Sequence, residues 1–464
     1  MRDGGVDTRV RETGLSGKRV VVVGGQASGS AAARLLVRHG ASVTLTDIAG
    51  RVPDQEALAA QGVRLELGAN RPETTAAADL VVVSPGVPLD QPALVAAVHA
   101  CVPVIGEIEL AWRLLDGRVI AITGTKGKST TTTLVGRMLQ AAGLPVRVSG
   151  NIGNPLSAEV EGSSPETIHV AEVSSFQLES TTSFRPWIAV VLNISPDHLD
   201  RHPDLAAYMD AKARIVANQQ AEGWTVVNAE DALAVEIASR GAAQKRLFAL
   251  DGRPEAAVTV EGGAIVRRES GESHPLVPLS AIRLHGRHLL ADVVAAAAVA
   301  DLARVRPAEM VEAVSSFTGL EHAMELVAEV SGVRFVNDSK ATNIEAARYA
   351  VESSGAGVVP ILGGVFKGGD LGILRDALAG SARLAVLIGA SRDRFRAALE
   401  GAVPIRDAAS MREAVRVAFE AARPGGTVLL APACASFDMF ENYAERGRAF
   451  KLEVERLRTG EGVP

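Results

Sequence analysis

Short apolar runs alternate along this chain with longer stretches in which apolar residues return every three or four positions. This is the pattern of buried parallel strands joined by amphipathic helices. Residues 18–24 form a strand that runs into Gly25-Gln26-Ala27-Ser28-Gly29 and an Ala/Leu-rich helix reaching about residue 39; a second strand, 42–46, ends in Asp47. Strands at 63–67 and 79–83, a helix at 92–100 and a strand at 103–105 complete an α/β unit that closes near Gly106, and 107–117 predicts a connecting helix. The pattern restarts with the strand 119–122, a glycine-rich turn and a helix at 131–142, then strands 169–171 and 188–192 and a helix at 205–217. Between 246 and 279 it changes to strict alternation, at 256–260 and 264–268, which predicts short antiparallel strands or a surface insertion. Helices at 289–305 and 307–317 follow. From about Gly319 a third α/β pattern places strands at 333–336, 358–362, 384–388 and 427–431.

The fold expected is therefore α/β with three domains. They are an N-terminal Rossmann-like domain over 1–107, a central P-loop ATPase-like mononucleotide-binding domain over 108–318, and a C-terminal Rossmann-like domain over 319–464. No 20–50-residue repeat and no low-complexity segment interrupts them. The 464 residues, 47% hydrophobic and 22% charged, are ordinary for a soluble α/β protein. A net charge of -6 without a basic stripe excludes nucleic acid as a partner. The two cysteines, Cys101 and Cys434, cannot form a disulfide framework; no signal-type segment opens the chain, and the longest apolar run, 293–300, is too short to span a bilayer. A cytoplasmic protein without membrane insertion is expected.

Chemistry concentrates at strand ends. Gly124-Thr125-Lys126-Gly127-Lys128-Ser129-Thr130, between strand and helix, has the parts of a nucleoside triphosphate site. Its glycines let backbone NH groups face phosphate, Lys128 adds a positive charge, and the Ser129 hydroxyl can ligate Mg2+. The common P-loop spacing would place its first glycine at Ile122; here that glycine has moved in by two. Glu172 ends one strand and opens Glu172-Val173-Ser174-Ser175-Phe176-Gln177, and 193–202 follows another; both offer oxygen and nitrogen ligands beside the loop. The first βαβ pattern, with Asp47 where a ribose hydroxyl often binds, leaves three readings open: nicotinamide dinucleotide, another nucleotide, or a purely structural turn. Gln26 replaces the middle glycine of the dinucleotide fingerprint and would crowd a pyrophosphate.

Taken together, Thr123 to Thr130, Glu172 to Gln177, Asn193 to Arg201, Asn337 to Asn343 and Leu430 to Asp438 resemble the Mur ligase family over nearly the whole chain. The resemblance implies an ATP-dependent amide ligase of peptidoglycan precursor synthesis, adding D-glutamate to UDP-N-acetylmuramoyl-L-alanine through an acyl phosphate. It implies that the catalytic residues are Lys128, Glu172, His198 and Lys212. Two Mg2+ sites would draw on Ser129, Glu172, His198 and Lys212, with Lys212 carbamylated by CO2. ATP would lie on Gly124, Thr125, Lys126, Gly127, Lys128, Ser129, Thr130 and Thr131, with Asp292, Asp338 and Lys340. The UDP-substrate would lie on Ala27, Ser28, Asp47, Ser84, Pro85, Gly86 and Asn151, and the glutamate on Thr342, Lys367, Ser436 and Tyr443. Small-molecule substrates and a monomer are expected. The chain departs from the family where His288-Leu289 and Asp292 replace a His-Asn pair and a second Asn, and where Ala323 follows His322 in place of Arg. Three alternatives stay open: a ligase of the same mechanism for L-glutamate or another acceptor, a non-catalytic nucleotide-binding relative, and an NAD oxidoreductase.

Overall fold

The computed structural model describes residues 14–198, 201–284, 286–366 and 368–460. The chain forms two compact units, Met1–Phe317 and Thr318–Pro464.

The first unit holds two sheets. Strands β1 (Arg19–Val23), β2 (Ser42–Asp47), β3 (Arg64–Leu67), β4 (Leu80–Val83) and β5 (Val104–Gly106) form an all-parallel sheet in the order β3-β2-β1-β4-β5. Unbroken apolar runs occupy its centre, β1 and β4, because only central strands of a parallel sheet are covered on both faces. The helix Ala27–Arg38 turns Ala32, Ala33, Leu35 and Leu36 inward, and its small residues allow close approach to the sheet. The short helices Gln55–Ala60 and Pro72–Ala76, absent from the sequence expectation, have six and five residues, too few to show a period.

The helix Glu107–Leu114 leads into a nine-stranded sheet. Its strands are β6 (Arg118–Thr123), β7 (Val146–Gly150), β8 (Ile168–Glu172), β9 (Ile188–Val191), β10 (Trp224–Asn228), β11 (Gln244–Phe248), β12 (Val258–Glu261), β13 (Ala264–Glu269) and β14 (Glu272–Pro278). They lie in the order β14-β13-β12-β11-β10-β9-β6-β8-β7. The pairs from β7 to β12 are parallel, while β12, β13 and β14 pair antiparallel. The alternating segment thus extends the central sheet instead of standing apart from it. Across this sheet the helices Lys128–Ala141 and Arg287–Leu302 pack together, the latter burying every residue from Asp292 to Ala300.

In the second unit β15 (Glu325–Val330), β16 (Val333–Asn337), β17 (Val358–Gly363), β18 (Ala385–Ile388), β19 (Ile405–Asp407) and β20 (Thr427–Leu430) take the order β15-β16-β20-β17-β18-β19. All pairs are parallel except β15–β16. The sequence expectation lacks the edge strands β15, which is half exposed, and β19, which has three residues, and in the central sheet it lacks β7, β10 and β11. Among the described residues no helix is long and apolar enough to cross a membrane.

Candidate active site

Because β6, β7, β8 and β9 are parallel and adjacent, their C-terminal ends bring four separate loops to one edge of the central sheet. The phosphate loop leaves β6 at Gly124, with φ 154°, and enters the helix Lys128–Ala141 through Gly127, with φ 82°. Both are conformations that glycine adopts without a Cβ penalty. The loop after β9 holds this turn from outside. Thr125 N donates to Asn193 O at 2.8 Å, Lys126 N to Asn193 Oδ1 at 2.8 Å, and Asn193 Nδ2 returns a bond to Lys126 O at 3.0 Å. Lys128 Nζ donates to the carbonyls of Gly124 at 3.0 Å and Thr125 at 2.8 Å. Its charge therefore sits over the helix N-terminus, where anions are favoured.

Two buried charges flank the loop. Glu172, 2% exposed at the end of β8, accepts from Ser129 Oγ at 2.6 Å and from Asn151 Nδ2 at 2.8 Å. A hydroxyl and a carboxylate this close, beside a phosphate loop, are hard oxygen donors of the kind Mg2+ takes together with phosphate oxygens and water. Lys212, 1% exposed on the helix Leu205–Ala217, donates to Gly124 O at 2.9 Å and Thr123 Oγ1 at 3.2 Å, with its ammonium 4.7 Å from the centre of the Tyr208 ring. Burial, seconded by the charge of Lys128, holds its pKa well below the ordinary lysine value. Such an amine is more often neutral and nucleophilic, the condition for reaction with CO2.

The structure brings Lys128, Ser129, Glu172, Asn151 and Lys212 to the phosphate loop. His198 is less engaged: exposed, left-handed at φ 55°, it lies 3.8 Å from Asp197 Oδ2 and 4.9 Å from the Phe176 ring. Among the described residues no cluster of three or more His, Cys, Asp or Glu is arranged to hold a metal ion. Asp292 is drawn against the loop itself: a Cβ placed on Gly127 would lie 2.1 Å from its Oδ1. The carboxyl is 5% exposed, and burial pushes its pKa well above the usual range, with the Thr131 hydroxyl opposing the shift.

At the edge of the first sheet, Asp47 accepts from Gly25 N at 2.7 Å and Ala49 N at 2.8 Å, while Ser84 Oγ donates to Gly24 O at 2.9 Å. These bonds fix the turn carrying the exposed Ala27 and half-buried Ser28 next to Pro85 and Gly86. In the second unit Asp338 follows β16, accepts from Met324 N at 3.1 Å, and has its pKa pushed up to about 6 by burial. Lys340 and Thr342 lie on the same loop, Ser436 is buried on the loop after β20, and Tyr443 opens the helix Tyr443–Thr459. Lys367 lies outside the described residues.

Sequence reading passed over Tyr208, whose hydroxyl lies 3.1 Å from Thr125 Oγ1 and whose ring backs Lys212. Its position one helical turn before Lys212 was a usable signal. Burial pushes its phenol up to about 12.

A mononucleotide loop on a parallel sheet, with hard oxygen donors and a neutral-prone lysine around it, defines a phosphate-handling α/β protein, and its relatives define which kind. Residues 18–106 match the MurD-like N-terminal domain of Mur ligases, 122–300 the Mur ligase middle domain, and 323–434 the Mur ligase glutamate ligase domain. The chain belongs to the Mur ligase family. Among its relatives, the UDP-N-acetylmuramoylalanine--D-glutamate ligase of Acidobacterium capsulatum is 46% identical over 442 residues, covering 94% of this chain and 96% of that protein. The enzyme of the same name from Koribacter versatilis is 42% identical, covering 96% and 98%. Of solved structures, UDP-N-acetylmuramate-alanine ligase from Thermotoga maritima aligns over 96% of this chain and 100% of its own with a TM-score of 0.58 at 19% identity. The pseudomurein peptide ligase type C from Methanothermus fervidus aligns over 95% and 100% with a TM-score of 0.55 at 19% identity; both likenesses speak for the fold alone.

Proposed function

We propose that this chain is an ATP-dependent ligase joining D-glutamate to UDP-N-acetylmuramoyl-L-alanine in peptidoglycan precursor synthesis. One arrangement carries the reading: the phosphate loop with Ser129–Glu172 on one side and buried Lys212 on the other, in a chain of which 94% aligns with a ligase of that name.

A carboxylate is a poor electrophile. Transfer of the γ-phosphoryl of ATP to the alanyl carboxylate gives an acyl phosphate and ADP; the amine of D-glutamate then attacks the carbonyl carbon, the C–N bond forms, and phosphate leaves with the C–O bond pair while the amine gives up a proton. The backbone NH groups of 124–131 and Lys128 hold the phosphates. Ser129 and Glu172 would hold Mg2+, with His198 and a carbamylated Lys212 at a second site; the metal supplies charge neutralisation on the phosphoryl oxygens. Asp292, Asp338 and Lys340 complete the nucleotide contacts, Ala27, Ser28, Asp47, Ser84, Pro85, Gly86 and Asn151 take the UDP-substrate, and Thr342, Lys367, Ser436 and Tyr443 take glutamate. The domains run over 1–107, 108–318 and 319–464, in a cytoplasmic monomer.

The test is phosphate release from ATP and Mg2+ with UDP-N-acetylmuramoyl-L-alanine and either D- or L-glutamate, with the product mass measured. Release with D-glutamate and a product heavier by one glutamyl unit is expected. Preference for L-glutamate would move the chain to a ligase of different amino acid specificity, and no release with either would favour a nucleotide-binding protein without catalysis.

A further inference from the structure

Among the described residues Arg446 is one of the largest fully buried side chains, 1% exposed in the second unit, and it is a cation. Burying a guanidinium costs several kcal/mol unless its NH groups are satisfied. Here they reach two loops at once: Nε donates to Ser339 Oγ at 3.0 Å, Nη2 to Ser339 O at 2.8 Å, and Nη1 to Cys434 O at 3.0 Å. Ser339 Oγ in turn donates to Tyr443 O at 2.7 Å, on the first residue of the helix that bears Arg446. The loop after β16, the loop after β20 and the start of the last helix are thus tied through one side chain, and a backbone bond from Ala433 N to Ala341 O at 2.9 Å joins the two loops again.

These three segments carry Thr342, Ser436 and Tyr443. Thr342 lies three residues from Ser339, Ser436 two from Cys434, and Tyr443 three from Arg446, within one helical turn of it. The three residues sit on three separate segments, so their mutual placement depends on what bridges those segments. The charge also lacks a direct ion-pair partner among the described residues. Every hydrogen-bond acceptor of Arg446 is a neutral oxygen; Cys434 and then Asp438 favour its charge through space only. Burial lowers its pKa to about 10, which leaves it cationic at neutral pH.

We propose that Arg446 is the positioning residue of the amino acid subsite, holding the three segments in register and placing a positive charge behind them for a dicarboxylate. This rests on the ligase reading above. The bridging geometry explains why a residue type that is seldom buried is buried here. A purely structural role would be filled as well by an apolar side chain of equal volume, without the cost of the charge.

The experiment is steady-state kinetics of Arg446→Met and Arg446→Lys, varying ATP, UDP-N-acetylmuramoyl-L-alanine and D-glutamate in turn. The KM for D-glutamate should rise about tenfold or more in the methionine variant, from lost bridging bonds and charge, while the other two KM values stay within about twofold. Lysine keeps the charge but not the fork, and should recover part of the loss. Equal changes in all three KM values, or a fall in kcat alone, would overturn the proposal and leave Arg446 a structural residue. If Arg446→Met does not fold, as judged by circular dichroism, the same split in Arg446→Lys decides. Wild-type protein that makes no product with D-glutamate overturns the ligase reading itself, a result distinct from an active wild type whose variants keep the D-glutamate KM.

Discussion

Replacing Lys212 by methionine should yield a protein that is slightly more stable and cannot turn over. The two side chains are similar in length and stem, so packing is kept at a site that is 1% exposed. Neither acceptor of the lost ammonium is orphaned: Gly124 O still receives Lys128 Nζ at 3.0 Å, and Thr123 Oγ1 still donates to Val173 O at 2.8 Å. What disappears is the cost of holding an amine where burial and Lys128 hold its pKa well below 10.5. Between that depressed value and 10.5 the unfolded chain binds the proton that the folded chain has given up, so stability climbs with pH and the penalty fades as pH approaches 10.5. Exchanging a buried charge for an apolar group gains about 1–4 kcal/mol, against about 0.5–1.5 kcal/mol for each of two lost hydrogen bonds. The net is a gain of about 0.5–1 kcal/mol, a rise in Tm of about 1–3 °C that is largest at low pH. Calorimetry across a pH series measures this, and phosphate release measures turnover. Lys212→Ala, which opens space beside Thr123 and Gly124, should regain part of its activity with added acetate, whose carboxylate replaces that of the carbamate. A methionine variant that keeps activity within about an order of magnitude would remove Lys212 from the chemistry. One that is clearly less stable would refute the account of a strained amine.

Two other perturbations follow from the same geometry. Asp292→Asn should stabilise the protein by about 1 kcal/mol at neutral pH: burial raises the folded pKa, so the wild type loses stability as pH rises from 3.8 towards that value, whereas the amide does not titrate. Urea midpoints that converge as pH rises through this window would contradict it. Gly29→Ala sets a Cβ 1.7 Å from Gly24 O, a rigid backbone atom, and should cost about 1–3 kcal/mol while weakening UDP-substrate binding and sparing ATP binding, both read by titration calorimetry. Unchanged affinity for the UDP-substrate would separate that turn from the subsite.

The phosphate loop was legible because its parts are contiguous: strand, glycines, lysine, hydroxyl and helix occupy one stretch, and local chemistry determines local structure there. The strands β1, β4, β6, β8 and β9 were legible for a similar reason, since burial on both faces forces unbroken apolar runs, whereas β7, β10 and β11, whose sequences mix polar with apolar residues, were not placed. The half-exposed β15, the three-residue β19 and the short helices Gln55–Ala60 and Pro72–Ala76 carry too little pattern to register. The assembled site is a different matter. Glu172 meets Ser129 across 43 positions and Lys212 meets Gly124 across 88, because β6 lies between β8 and β9 in the sheet, an order that no periodicity encodes. Glu172 could be proposed as a ligand from its place at a strand end, but the role of Lys212 entered the sequence reading only through family resemblance, which carries the sheet order implicitly. Tyr208 and Arg446 escaped even that reading, for a physical reason: a phenol and a guanidinium read as surface groups until burial and the geometry of their partners are known. Motif reading therefore finds the groups that touch phosphate, and tertiary structure is needed for the groups that hold those in place. Among the described residues that second set includes Arg446, a buried cation whose cost to folding is explained if binding uses its charge.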